Sequence, residues 1–339
     1  MLYIVIIFLL VSIYLYCLLG GADFGAGIIE LIEKKQFKER TRNLVSEAMA
    51  PIWEANHMWL IIAVVVLFNA FPLVYTQLLV SLSIPLILML IGIILRGTAF
   101  TFRHYDAIKD SSQEMYSRVF EYSSLTVPFF FGLAVGSIIS GKIVTNPSSF
   151  YEGYINPWLN LFSISTGIFV ATLFSFIASV FLTSEITDKR LLNDFILKSK
   201  RSIIVVVVGG LLVFISSLID HVHFFEDFFS NYSSLALMLI ATVCLPLLWK
   251  ILEKGLKWPS RILVGAQLLF ILGAFYIVYF PTLVILKDSN TLTFYNSAAP
   301  EITLNYLGWA LIVGSFIIFP ALFYLLKVFK TEKGNTVSK

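Results

Sequence analysis

Nine stretches of this chain are almost wholly apolar, each near the length at which a helix crosses a hydrocarbon core of about 30 Å. They cover residues 2–19, 51–71, 76–95, 125–139, 159–182, 203–218, 234–249, 263–286 and 304–326. Lipid offers a backbone no hydrogen bonds, so only helices or a closed barrel can span it. These runs are too long and too continuously apolar for the alternating strands of a barrel. Only 13% of the 339 residues are charged, against about a quarter in soluble domains. The expected fold is therefore all-α and polytopic, with nine transmembrane helices.

Lys and Arg fix the expected orientation, because short cytoplasmic loops retain them. All but two of the 24 basic residues fall on one side: Lys34 to Arg42, Arg96 to Arg118, Lys189 to Arg201, Lys250 to Arg261 and Lys327 to Lys339. Lys142 and Lys287 lie opposite. This places the N-terminus outside and the C-terminus in the cytoplasm. The first apolar run has no basic segment before it and no small-residue cleavage site after it, so it is expected to remain as a helix continuing to near Glu33.

No linker rich in Pro, Gly or Ser divides the chain, which reads as a single membrane domain over 1–339. Its approximate halves, 1–141 and 159–286, suit two four-helix bundles, with the ninth helix, 304–326, at the periphery. Gly20, Gly21, Gly25 and Gly27 would let a neighbouring backbone approach the first span closely. Cys17 and Cys244 lie in spans without metal-type spacing and read as core residues. The net charge of +3 suits loops facing anionic lipid and gives no reason to expect nucleic acid.

Against this apolar background Asp23, Glu30, Glu54, His57, Arg96 and Arg103 are conspicuous, because an ionisable group at membrane depth costs roughly 2.5–3.5 kcal/mol or more unless paired or wetted. Counting the helical rise puts Asp23 about 15 Å from the inner end of the first helix, Glu30 a turn from that end, and Glu54 and His57 in the first two turns of the second span. Arg96 is expected close to the inner end of the third. Asp23, Glu30, Glu54, His57 and Arg96 all fall in the cytoplasmic third of the membrane. Carboxylates and imidazole so placed can relay protons, with water or a hydroxyl such as that of Thr98 bridging gaps. The same residues can instead neutralise one another, with Arg96 paired to Asp23 or Glu54 to lock the helices. Glu30 and Arg103 lie near enough to the headgroups to be expected in solvent.

Glu54 and His57 have the Glu-x-x-His spacing of di-metal helices, but no second copy exists, so no metal site is expected. His57 is the one candidate for a haem ligand, since His104 is expected in a loop. His221 and His223, with Asp220, Glu226 and Asp227, read as a solvated outer loop. No nucleotide loop or nucleophile motif appears.

The residues Gly21-Ala22-Asp23-Phe24-Gly25-Ala26-Gly27, Ala50-Pro51-Ile52-Trp53-Glu54-Ala55-Asn56-His57-Met58-Trp59, Leu67-Phe68-Asn69-Ala70-Phe71-Pro72 and Arg96-Gly97-Thr98-Ala99-Phe100-Thr101-Phe102-Arg103 together resemble subunit II of the cytochrome bd quinol oxidases, cyanide-insensitive relatives included. The resemblance covers about the first 105 residues. It implies a bacterial cytoplasmic-membrane heterodimer whose partner, subunit I, carries b-type and d-type haems and the quinol site. A small accessory subunit is left open. Subunit II is expected to bind no haem, quinol or metal itself. It is expected to support assembly and to lend a cytoplasmic proton path, with Glu54, often Asp in the family, and Asp23 as its acids. His57 occupies a variable position. Two other readings of the residues remain at this point: a proton-coupled secondary transporter, and a scaffold whose acids only balance charge.

Overall fold

The computed structural model describes residues 1–50, 53–105, 112–287 and 291–336, with side chains left aside at Tyr105, at 322–323 and from 325 onward. Pro51, Ile52, Lys109 and Lys339 lie outside the described residues. Nine helices among them are long and apolar enough to cross a membrane.

The first span is continuous from Leu2 to Ile32, built of α1 (Leu2–Leu15), a π-helical turn (Tyr16–Gly20) and α2 (Gly21–Ile32). The short helix α3 (Lys35–Met49) follows, then α4 (Trp53–Ala70) as the second span. Pro72 starts α5 (Pro72–Ser81) in the first-turn position where its missing N–H costs nothing. The third span, α6 (Ser83–Tyr105), begins only after a break at Leu82. The run expected at 76–95 is therefore displaced toward the C-terminus, because hydropathy reads across the break and stops at Arg96. In the folded chain Arg96 stands roughly 13 Å short of the end of α6 by helical rise, deeper than expected, and His104 is helical rather than in a loop.

The fourth span, α7 (Ser112–Ile139), starts well before the expected Leu125. After the short α8 (Phe150–Tyr154), Asn160 opens α9 (Leu161–Thr183) by accepting the Ser163 N–H at 2.9 Å. Asp188 does the same for α10 (Lys189–Ile219), which begins 14 residues ahead of its apolar run at Ile203. Beyond α11 (Phe224–Ser230) come α12 (Tyr232–Glu253) and α13 (Lys257–Tyr279). The eighth span thus ends at Tyr279 rather than 286. Pro281 offers no backbone N–H for a further helical turn. The β-branched residues after it pair instead as a small antiparallel hairpin, β1 (Thr282–Ile285) with β2 (Thr291–Thr293). The ninth span lies in α14 (Glu301–Thr336).

Within the first half α6 packs on α7, and α1 on α4; within the second, α9 packs on α10 and α12 on α13. The halves meet where α9, the most enclosed span, lies against both α7 and α2. The least enclosed is the ninth, which rests on α1 and α4.

The contact of α2 with α9 depends on glycine. A Cβ at Gly25 would stand 1.9 Å from the Phe174 carbonyl oxygen and 2.7 Å from Ala178 Cβ. Gly25→Ala should therefore lower stability by about 1–3 kcal/mol, toward the upper end because backbone is in the way. Gly314→Ala, where nothing lies within 4 Å, should leave the thermal unfolding of the purified protein unchanged and serves as the control.

Candidate functional site

The first and third spans run in the same direction, from the poorly charged end of the molecule to the basic one. Asp23 and Glu30 on α2 are seven residues apart, as are Arg96 and Arg103 on α6. Two acid–guanidinium pairs consequently join the helices like successive rungs. Arg96 Nη2 donates to Asp23 Oδ1 at 2.7 Å and to the Asp23 backbone carbonyl at 3.1 Å, while its Nε donates to Ser124 Oγ of α7 at 3.1 Å. Of the two acids that sequence offered to Arg96, the fold pairs it with Asp23. Both residues are sealed, with Asp23 0% and Arg96 1% exposed. The Phe24 and Phe120 rings, centred 4.7 and 4.8 Å from Arg96 Cζ, hold the guanidinium between two aromatic faces.

The second rung is equally enclosed, which corrects the expectation that Glu30 and Arg103 are solvated. Arg103 Nη1 donates to both Glu30 oxygens, at 2.8 and 3.0 Å, and Arg42 Nε adds a third bond at 3.1 Å. Glu30 is 0% exposed. Its neighbours explain why: α3 folds back over the basic end of the span and brings Lys38 and Arg42 onto these acids. Lys38 Nζ lies 2.7 Å from Glu121 of α7, and Arg42 Nη2 lies 3.9 Å from the same carboxylate. At the foot of α2, Thr41 Oγ1 donates to Glu33 at 2.8 Å and Lys198 pairs with it. Partial burial pushes the Glu33 carboxyl up, but those two donors outweigh it and hold the group below its ordinary range.

His57 and Glu54 extend the site sideways. His57 Nε2 stands 4.0 Å from Asp23 Oδ2, too far for a direct hydrogen bond and close enough for one water or a small rotation to bridge. Its ring is edge-on to Phe24 and Trp53, with centres 5.4 and 6.3 Å away. Glu54, one turn earlier on α4, is exposed on the outside of the chain. Around Asp23 several enclosed polar atoms have no hydrogen-bond partner among the described residues: Asp23 Oδ2, His57 Nδ1, Arg96 Nη1 and Tyr16 Oη. Such a concentration is the polar lining that ordered water satisfies in protein interiors.

Sequence reasoning passed over Arg42, Ser124 and Glu121. The matching steps of seven in α2 and α6 could have signalled the double rung. Glu121 and Ser124, at i and i+3, could have signalled a third polar face had α7 been started early enough. On the opposite side of the molecule His223 Nδ1 pairs with Glu226 at 2.9 Å in an exposed position, a hydrogen bond that raises the imidazole above its ordinary range. Asp220 there accepts the Phe162 N–H at 2.7 Å, closing the start of α9. Among the described residues no three His, Cys, Asp or Glu side chains gather to hold a metal ion.

The same arrangement of helices occurs in a bd oxidase structure from Geobacillus thermodenitrificans, which superposes with a TM-score of 0.74 over 96% of this chain and 98% of that one, at 17% identity. The cytochrome bd ubiquinol oxidase subunit 2 of Bacillus subtilis (strain 168) is 24% identical over 311 residues, 89% of this chain and 88% of that protein. The cytochrome bd-I ubiquinol oxidase subunit 2 of Escherichia coli (strain K12) is 26% identical over 166 residues, 47% of this chain and 43% of its own length. These relatives are subunits of an oxidoreductase complex, and the membrane spans suit a multi-pass protein of the bacterial cytoplasmic membrane. The sequence pattern of the cytochrome bd terminal oxidase subunit II family matches residues 1–329, and with the helical arrangement just described the chain belongs to that family.

Proposed function

We propose that this chain is the non-haem member of a quinol:oxygen oxidoreductase, holding the haem-bearing subunit I in place and carrying protons toward it from the cytoplasm. Quinol would be oxidised in subunit I, so that chemical protons enter on one side while quinol protons leave on the other. In this reading the basic end of the molecule faces the cytoplasm, and Asp23, His57 and Glu54 act in that order.

One observation carries the reading: a sealed carboxylate, Asp23, stands beside an imidazole whose own helix presents a second carboxylate on the chain's outer surface one turn away. A scaffold needs Asp23 to balance Arg96, but it has no use for His57 and Glu54 leading away from that pair. Imidazole suits the middle position because it can accept a proton on one nitrogen and release one from the other. Glu54, open on the surface, is then available to a neighbouring subunit.

Contacts of three of the chain's four histidines support placing the haems implied by the family elsewhere. His57 is hemmed in by Phe24 and Trp53 and turns Nε2 toward Asp23, His104 bonds Ser46 through Nδ1 at 2.8 Å, and His223 is paired with Glu226 in an exposed position. We assign both haem types and the quinol site to the partner, with lipid around the apolar outer faces of α10 and α12.

Glu54→Gln should preserve the haem spectrum of the purified complex and slow oxygen consumption by about 10²-fold, the lower end of what a positioned acid contributes to proton transfer. Full turnover with intact haems would remove Glu54 from the path.

A further inference from the structure

Asp23 has no exposed surface, so any proton reaching it from the cytoplasm must pass through other groups, and the direct line up α2 from Glu30 is closed. A Cβ at Gly27, midway between the two acids, would stand 2.2 Å from Ser124 Oγ and 3.1 Å from the Phe120 ring, so α2 and α7 touch there. Glu30 itself is fixed by both oxygens to Arg103 and again to Arg42.

The neighbouring carboxylate is held differently. Glu121 is 1% exposed, yet its partners are two long side chains rooted on α3, Lys38 at 2.7 Å and Arg42 at 3.9 Å, each with 27% of its side chain in solvent. Glu121 Oε1 has no hydrogen-bond partner among the described residues. One turn deeper on the same face of α7, Ser124 Oγ accepts from the Arg96 guanidinium that clamps Asp23. We infer that Glu121 is the inlet of the Asp23 path, taking a proton from the cytoplasmic side beside Lys38 and Arg42 and passing it toward Asp23 through the Ser124 hydroxyl, which turns from the Phe120 carbonyl it donates to at 2.7 Å. The inference rests on the proton-path reading above.

Glu30 from α2, Lys38 and Arg42 from α3 and Arg118 from α7 itself are charged groups that act on Glu121. The proton moves as a hydrogen ion between oxygen atoms; no bond to carbon changes and no electron is transferred. The long Lys38 tether, by lifting away from Glu121, gives water access, whereas Arg103 and Arg42 together hold Glu30 in place.

The test uses the whole oxidase complex in vesicles, with oxygen consumption followed as the pH at the basic face is varied and haem content read by absorption. Glu121→Gln should slow turnover about tenfold at full haem content and flatten its pH dependence, and Glu121→Asp should recover most of the loss. Where Glu121→Gln alone does not assemble, the pair Lys38→Met with Glu121→Gln removes the charge and its partner together and should assemble while remaining slow. Wild-type turnover and pH profile in either the single or the paired variant would overturn the inlet. Slow turnover in Glu54→Gln beside normal turnover in the Glu121 variants overturns the inlet alone. Normal turnover in both sets overturns the path and the inlet with it.

Discussion

Arg96→Leu should cost about 3–5 kcal/mol and appear first as lost complex, not as slow enzyme, because it leaves Asp23 charged and enclosed with no cation beside it. The same substitution strips Ser124 of its donor and leaves a gap between Phe24 and Phe120. The yield of haem-bearing complex from solubilised membranes measures this directly. Removing both charges, with Asp23→Leu and Arg96→Met together, should restore much of the yield, since apolar replacement of a whole buried pair is often neutral. It should not restore oxygen consumption, because the relay acid is gone. A paired variant that assembles and turns over normally would reduce this rung to a packing device.

The second rung should respond unequally at its two ends. Glu30→Ala abandons Arg103 inside the protein and frees Arg42 as well, and should cost about 3–5 kcal/mol. Arg103→Ala leaves Glu30 still bonded to Arg42 at 3.1 Å, so its cost should be distinctly smaller. The exposed Arg118–Glu114 pair is the control, because solvent screening leaves its removal little to change. Thermal unfolding of the detergent-solubilised protein ranks the three. Equal losses at Glu30 and Arg103 would mean that Arg42 does not compensate.

The spans were legible because length and hydropathy alone decide whether a segment can live in lipid, and because nearly all the basic residues fall on one side. Ends were less legible where a helix continues into polar sequence, as at Lys189 and Ser112, or where an apolar run contains a break, as at Leu82 and Pro281. In each case hydropathy records what surrounds a residue and is blind to backbone geometry. The identities of the charged residues near the inner end could be read off, but their partners could not. Asp23 and Glu54 offered Arg96 equivalent chemistry, and only the packing of α2 beside α6 distinguishes them. Glu30 and Arg103 looked solvated because their distance from the helix end was right for it. What buries them is α3, a polar helix whose sequence gives no hint that it folds back over the site. Glu121 was lost for a related reason: it precedes the apolar run at Leu125 and so looked like part of a loop.

The Phe120 ring centre lies 4.2 Å from the Arg103 guanidinium as well as 4.8 Å from that of Arg96. A single benzene ring thus touches two cations of one helix, each of them paired with an acid on another. Neither salt link can slacken without disturbing its neighbour, so a tilt or rotation of α7 would be felt at both levels simultaneously, as a key turning moves every pin it touches.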